Sequence, residues 1–153
     1  MNRAKKKVRI CGRILFVVYL LLALYVMFFS ESLDRTMVST EYRYNLTPFA
    51  EIERFWNMRG SYGWHVTLIN LLGNVICFMP FGFLVPTLSR NRVLNNCLSV
   101  TILAMAFSAL IETTQLITKV GAFDVDDIIL NTLGGFLGIV IFKMAKGIIR
   151  NKQ

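Results

Sequence analysis

Acidic and amide side chains interrupt the most apolar stretches of this 153-residue chain. They occur in four patterns, N-x-x-G-N, E-x-x-Q, D-x-D-D and N-T-L-G-G. The polar residues of these patterns are Asn70, Asn74, Glu112, Gln115, Asp124, Asp126, Asp127 and Asn131. An Asp at the centre of a bilayer costs about 3 kcal/mol on insertion scales, so such residues face a bundle interior and by default mark a functional site. Carboxylates and amides of this kind can hydrogen-bond a polar headgroup, hold a hard cation or move a proton.

Composition places these patterns in a membrane protein. Hydrophobic residues make up 55% of the chain and the mean hydropathy is +0.55, well above a soluble domain. The net charge is +8, but the basic residues flank apolar segments and form no continuous stripe, which argues against nucleic-acid binding. The three cysteines lack C-x-x-C or Cys/His spacing, so neither a disulfide framework nor a zinc site is expected.

Four apolar segments are long enough to cross a bilayer, at about residues 14–29, 66–88, 94–117 and 128–145. The first follows a basic arm and would also suit a signal peptide. Its apolar run is longer than a typical signal-peptide core and no A-x-A-like site follows, so we interpret it as an uncleaved anchor. We expect an all-α polytopic membrane protein, a four-transmembrane-helix bundle that forms one domain over residues 1–153.

The distribution of Lys and Arg predicts the orientation of the bundle. Twelve basic residues and no acidic residue lie in the N-terminal arm, the turn between the second and third segments, and the C-terminal tail. The two loops at the other end hold five basic and eight acidic residues. We therefore expect a multi-pass protein of the cytoplasmic membrane with its N- and C-termini in the cytoplasm.

The first outer loop contains a predicted amphipathic helix over about residues 48–58. Thr47 is the expected N-cap, Pro48 the first helical position, and Gly60 the stop signal. Apolar side chains then recur at helical spacing, at Phe49, Ile52, Phe55 and Trp56. A helix of this kind beside a span lies either in the headgroup layer or as a cap on the bundle, and the sequence leaves both open.

Helical rise predicts that the polar residues meet at one depth. At 1.5 Å per residue, Asn74 lies about 4–5 Å outward of the bilayer midplane, Asn131 about 8 Å, Asn70 and Glu112 about 10 Å, and Asp127 about 14 Å. All therefore fall in the outer half, where three helices present carboxylates and amides at one level. We expect one polar pocket there, open to the extracytoplasmic side.

Seven residues are candidate ligand-binding residues of this pocket: Asn70, Asn74, Glu112, Gln115, Asp124, Asp127 and Asn131. Glu112 and Asp127 are also the candidates for a catalytic role, and no metal ligand is assigned. Structural roles remain open for several of them. Asp124 and Asp126 would suit the cap of the fourth helix, and Glu112 a buried hydrogen bond to Gln115 or to an asparagine.

Taken together, the motifs resemble the VanZ-like family of bacterial membrane proteins. The resemblance rests on four motifs: Asn45-Leu46-x-Pro48-Phe49, Asn70-x-x-Gly73-Asn74-x-x-x-Phe78-x-Pro80-x-Gly82, Glu112-x-x-Gln115 and Phe123-Asp124-x-Asp126-Asp127-x-x-x-Asn131-x-x-Gly134. It implies a cytoplasmic-membrane protein, and the founding member is associated with low-level resistance to teicoplanin and related lipoglycopeptides. Many members carry an arginine shortly before D-x-D-D, where this chain has Gly121-Ala122, and Lys119 is the cation we consider as its replacement.

Three functions compete on this evidence. We favour a non-enzymatic envelope protein whose outer-leaflet pocket binds a lipid, a lipid-linked cell-wall component or a lipoglycopeptide, and which contributes to resistance. The second is a metal-assisted enzyme acting on a lipid phosphate, which would need a divalent cation as its cofactor; the favoured function needs none. The third is a transporter, which one chain does not support because the polar residues stop at mid-depth. A homo-oligomer formed through the Gly134/Gly138 stripe would change that.

Overall fold

Four long helices make up most of the computed structural model, and two short strands and two short helices lie at one end of them. The structure describes residues 3–29, 41–88, 91 and 93–151. In chain order the elements are α1 (Arg3–Phe29), β1 (Arg43–Asn45), α2 (Ala50–Asn57), α3 (Arg59–Tyr62), α4 (Trp64–Leu88), α5 (Cys97–Thr118), β2 (Ala122–Asp124) and α6 (Val125–Asn151). A 3-10 turn, Val93–Asn95, precedes α5.

The all-α fold with four membrane-spanning helices is confirmed. The helices long and apolar enough to cross a membrane cover Arg9–Phe28, Trp64–Leu88, Cys97–Thr118 and Val125–Arg150. Many large apolar side chains on them are exposed, for example Leu21, Ile69 and Leu110. In a membrane these faces are covered by lipid, so their exposure is what a spanning bundle requires.

Side-chain caps explain two helix starts that differ from the predicted ones. The third span begins at Cys97 rather than near residue 94, because the Asn96 side chain accepts a hydrogen bond from the Leu98 N–H at 3.2 Å. The fourth span begins at Val125 rather than near residue 128. There the Asp124 carboxylate accepts from the Asp126 N–H at 2.8 Å.

The helix expected in the first outer loop is present as α2, but its predicted ends are wrong. Thr47 does not cap it. The helix begins at Ala50, after Phe49, whose φ of 68° is left-handed. Gly60 does not end it, because Gly60 lies inside α3, and the turn into α4 is made by Gly63 at a φ of 84°. Local signals failed here because the first turn of α2 is held by a residue distant in sequence, as described below.

The apolar core lies between the four long helices. Phe78, Phe81 and Phe107 pack together in it, and the rings of Phe81 and Phe107 are stacked with centroids 5.2 Å apart. The helix α4 continues through Pro80. In the turn before this proline, the Cys77 carbonyl accepts a hydrogen bond from the Tyr19 hydroxyl at 3.0 Å, which ties α1 to α4.

Glycines allow α4 and α6 to pack with their backbones in contact. A Cβ at Gly82 would overlap the Gly135 carbonyl, and one at Gly138 would overlap the Met79 carbonyl. A Cβ at Gly134 would overlap the Val75 carbonyl. The small-residue stripe of α6 is thus used within the chain, as in other closely packed membrane helices, and is not an open surface for a second copy.

We predict that Gly138→Ala destabilises the bundle by about 1–3 kcal/mol, because the added methyl forces α4 away from α6. The measurement is the thermal unfolding midpoint of the purified protein in detergent. Gly147→Ala is the matched control on the same helix, since no atom lies within 4 Å of the position its Cβ would take. That control should be neutral or stabilising by up to about 1 kcal/mol. Equal midpoints for wild type and Gly138→Ala would contradict the close packing.

Candidate functional site

The segment before α2 and the segment between α5 and α6 are joined by a short parallel ladder at one end of the bundle. Arg43 of β1 pairs with Ala122 of β2, and Asn45 pairs with Asp124 two rungs further on. The Asn45 amide also donates to the Asp124 carboxylate at 3.2 Å, so backbone and side chain fix the same register. This ladder sets the D-x-D-D segment against the N-L-x-P-F segment, although they lie almost 80 residues apart in the chain.

Asp126 caps the outer helix α2 from the start of α6. Its carboxylate is 1% exposed and accepts three backbone N–H bonds, one of them from Phe49. The other two come from Glu51 at 2.8 Å and Ile52 at 3.1 Å. These amides open the first turn of α2, where a negative charge is also favoured by the helix dipole. The sequence suggested a cap for α6, and Asp124 provides that one; the role of Asp126 could not be seen from local spacing.

A second contact holds α2 to the bundle. The Thr67 hydroxyl of α4 is fully buried and donates to the Phe55 carbonyl at 3.1 Å. On the outward side, Trp56 and Trp64 remain about half exposed, with their rings edge to face and centroids 5.9 Å apart. The Arg59 guanidinium lies over both rings. An arginine and two tryptophans in this position suit the membrane–water interface.

The most deeply buried of the predicted site residues make hydrogen bonds within the bundle. Glu112 is 1% exposed and accepts from the Asp124 N–H of β2 at 3.1 Å. The Gln115 amide donates to the Met27 carbonyl of α1 at 2.8 Å, while its buried oxygen has no partner among the described residues. The Asn131 amide donates to the Ser108 hydroxyl of α5 at 2.9 Å. These contacts position β2 and the helix ends from beneath.

Asn74 and Asp127 face each other between α4 and α6. The Asn74 amide on α4 donates to the Asp127 carboxylate on α6. Asn70, one turn further out on α4, donates to the Val66 carbonyl of its own helix at 2.9 Å. Both asparagines lie on the face of α4 that turns toward α6, as the spacing of the motif predicted.

A pocket of about 520 Å³ lies beside these hydrogen-bonded residues, at the ladder end of the bundle. It lies between α2, the β1–β2 ladder and the outer ends of α4 and α6. Three of the seven predicted ligand-binding residues line it, namely Asn70, Asp124 and Asp127. The other four lie outside its lining: Asn74, Glu112, Gln115 and Asn131. A ligand in this pocket would therefore contact Asn70, Asp124 and Asp127 directly. The other four residues support the pocket from within the bundle.

Two arginines in the lining were missed by sequence reasoning. Arg43 and Arg54 both border the pocket, and the β ladder places Arg43 beside Ala122, two residues before D-x-D-D. Lys119, which we considered as the replacement cation, lies instead with its amine 4.6 Å from the Tyr42 ring centre and outside the pocket lining. Only the pairing of two loops distant in sequence could have identified Arg43.

The floor of the pocket is electrostatically negative at Asp124. The pKa of this carboxyl is raised to about 6. Burial is the largest cause and the nearby charges of Asp127, Glu51 and Asp126 add to it, while the hydrogen bond from the Asp126 N–H acts in the opposite direction. Among the described residues, no group of three or more His, Cys, Asp or Glu side chains is arranged to hold a metal ion. The carboxylates that meet here are therefore engaged mainly with amide and backbone donors.

We predict that Asp126→Ala releases the first turn of α2. Losing this cap should cost about 2 kcal/mol of local stability, equivalent to roughly 30-fold faster amide hydrogen exchange at residues 49–52. Hydrogen–deuterium exchange with mass spectrometry measures this directly. Glu53→Ala is the control, because Glu53 lies in the same first turn but is exposed. Unchanged exchange at residues 49–52 in Asp126→Ala would refute the cap.

We also predict a pH-dependent effect of Asp124→Asn. The folded-state pKa of about 6 lies above the ordinary value of 3.8, so the stability contributed by the protonated group is complete below about pH 4 and lost as pH rises through 6. Asn cannot ionise but keeps an acceptor oxygen. The thermal midpoint of the variant minus that of wild type should therefore increase as the pH is raised from 4 to 7. A difference between the two that does not change with pH would contradict the raised pKa.

Comparison with known proteins agrees with these features. A family model described as VanZ/LLP1 matches residues 16–147. Protein VanZ from Enterococcus faecium is 29% identical over 148 residues, an alignment that covers 95% of this chain and 81% of that protein. No solved structure matches the chain. Because the family match covers most of the chain, including the N-x-x-G-N and D-x-D-D motifs, the chain belongs to the VanZ/LLP1 family and is a VanZ-like multi-pass membrane protein.

Proposed function

We propose that this protein binds a membrane lipid or a lipid-linked cell-wall component in the pocket beside α2, and thereby contributes to resistance against lipoglycopeptides such as teicoplanin. The observation that carries the proposal is the position of the pocket. Asn70 lies six residues, about 9 Å of helical rise, after Trp64, so the pocket is at the level of the outer interface. A lipid headgroup at this level would reach it without leaving the membrane.

The walls of the pocket support a lipid as its ligand. Val66 and Leu71 of α4 and Leu130 of α6 form an apolar side, and the charged residues of β1, β2 and α2 form the other. Ligand sites commonly combine an apolar wall with a few polar groups that fix orientation. An acyl or prenyl chain would lie along the helices, and its polar head would face the ladder.

Orientation is part of the proposal. The N-terminus of α1 and the C-terminus of α6 lie at the end of the bundle opposite the ladder, where the Arg13 guanidinium donates to the Leu88 carbonyl. We propose that this end faces the cytoplasm of a bacterial cell, because the basic residues of the chain concentrate there. Some of those residues, Arg90, Arg92 and Lys152 among them, lie outside the described residues, and the orientation rests on their charge alone. The pocket then opens to the outer leaflet.

The binding function and an enzymatic one differ in what they require of Glu112. The Glu112 carboxylate accepts the Asp124 N–H, a bond that a glutamine oxygen can also accept. A binding protein should therefore tolerate Glu112→Gln, whereas an acid–base or metal-assisted enzyme should not. The contacts of Glu112 with β2 favour the supporting role.

The test is teicoplanin susceptibility of a Gram-positive host that carries the gene, with membrane levels of all variants matched. We predict that wild type and Glu112→Gln raise the inhibitory concentration above that of an empty vector. Ala122→Leu, which adds a larger side chain at the pocket wall, should return it to the vector level. Lys119→Gln is the control on the same outer surface and should behave as wild type.

Each other result has a defined meaning. No protection by wild type would remove the resistance role. Protection by Ala122→Leu equal to that of wild type would place the function outside the pocket. Loss of protection in Glu112→Gln at normal membrane levels would favour the enzymatic alternative.

A further inference from the structure

The pocket presents two opposite charges on one face of the β1–β2 ladder. Alternate residues of a strand share a face, so Arg43 and Asn45 of β1 lie on the same side, as do Ala122 and Asp124 of β2. These four residues line the pocket. On the other side of the ladder, Phe123 of β2 does not line it, while Tyr44 of β1 borders it as well. Arg43 and Asp124 lie at opposite ends of the three-rung ladder, about 6.6 Å apart along the strand direction.

The positive end lacks a counter-charge among the described residues. The Arg43 side chain is exposed and makes no hydrogen bond or ion pair within that part of the chain, while its backbone pairs with β2. The other arginine of the lining differs, because Arg54 forms a salt bridge with Glu51 at 2.6 Å. Arg43 is thus the guanidinium in the pocket that remains open to an anionic ligand, and guanidinium binds phosphate oxygens in bidentate geometry.

The negative end also keeps its charge. The Asp124 carboxylate accepts from the Asn45 amide and from the Asp126 N–H, both at Oδ1 and both from neutral donors. Oδ2 has no donor within the described part of the chain. Asp126 likewise accepts neutral backbone amides. The raised pKa of Asp124 reflects burial and the neighbouring carboxylates.

We propose that Arg43 and Asp124 bind the two charges of a zwitterionic headgroup, with its phosphate on Arg43 and its cationic nitrogen at Asp124. This inference rests on the proposed function and names the ligand class of that same site. A purely anionic headgroup would satisfy Arg43 but meet the carboxylates of Asp124 and Asp126. A purely cationic one would leave Arg43 without a partner. A phosphate ester that carries an amine matches both ends of the ladder.

The experiment is native mass spectrometry of the purified full chain with equimolar short-chain phosphatidylethanolamine and phosphatidylglycerol, which share acyl chains and differ in headgroup. We predict about a tenfold excess of bound phosphatidylethanolamine, equivalent to one charge-assisted hydrogen bond. Arg43→Gln should lower the binding of both lipids about tenfold. Asp124→Asn should lower phosphatidylethanolamine binding about tenfold and raise phosphatidylglycerol binding, because it removes the repulsion. Lys119→Gln, outside the lining, should leave the ratio unchanged.

Three results separate failure of this inference from failure of the proposed function. Equal binding of the two lipids that Asp124→Asn does not alter would overturn the zwitterion and leave the lipid pocket standing. Binding of neither lipid to wild type would overturn the lipid-binding function itself. Displacement of bound lipid by free phosphoethanolamine at equal concentration would support the zwitterion and refute a lipid as its source. Each variant is first required to elute as one species and to unfold at the wild-type temperature or above.

Discussion

The buried carboxylate of Asp126 is the interaction on which the outer end of this protein depends. Helix α2 is eight residues long, too short to be stable alone in water, and its first-turn amides need acceptors. Asp126 provides those acceptors from the start of α6, so its carboxylate ties α2 to a membrane-spanning helix. These bonds hold α2 in the position where its residues line one side of the pocket.

The hydrogen bonds around Asp124 follow from the same need to pair polar groups that are buried away from water. Asp124, the last residue of the ladder, lies two residues before Asp126 and is hydrogen-bonded on both sides. Its N–H is bound by Glu112 of α5, and its carboxylate is bound by Asn45 of β1. An apolar layer beneath would leave these donors and acceptors unpaired, at a cost of several kcal/mol for each group in hydrocarbon. The polar motifs of three helices therefore act first as a platform for the two outer loops.

Close helix packing makes that platform rigid. The backbones of α4 and α6 touch along Gly82, Gly134 and Gly138, and this contact brings Asn74 within reach of Asp127. Few side-chain rotamers are involved, so the distance between the two helices is set by backbone atoms. Arg43 and Arg54, at the rim of the pocket, are by contrast exposed, and Arg54 is held by its salt bridge with Glu51.

The sequence by itself determined the class of this molecule. Apolar segments of about twenty residues predict spans whatever their neighbours are, since length and hydropathy decide insertion. The outer loop helix was predictable in existence but not in its ends. Thr47 and Gly60 carry the ordinary start and stop signals, yet the helix is positioned by a carboxylate 75 residues away from Glu51. The similar depth of Asn70, Glu112 and Asp127 is predicted from helical rise alone and stays a prediction.

Tertiary structure decided which of these residues reach the pocket. Rise along a helix gives depth, and periodicity gives a face, but neither says which face turns to which neighbour. Glu112 and Asn131 share the predicted level, yet the packing of α5 against α6 buries both in hydrogen bonds beneath the floor. Arg43 has no signal in the sequence, because it enters the site through pairing with Ala122 across two loops. Contacts between segments so far apart depend on the backbone geometry of the whole bundle, which local spacing does not encode.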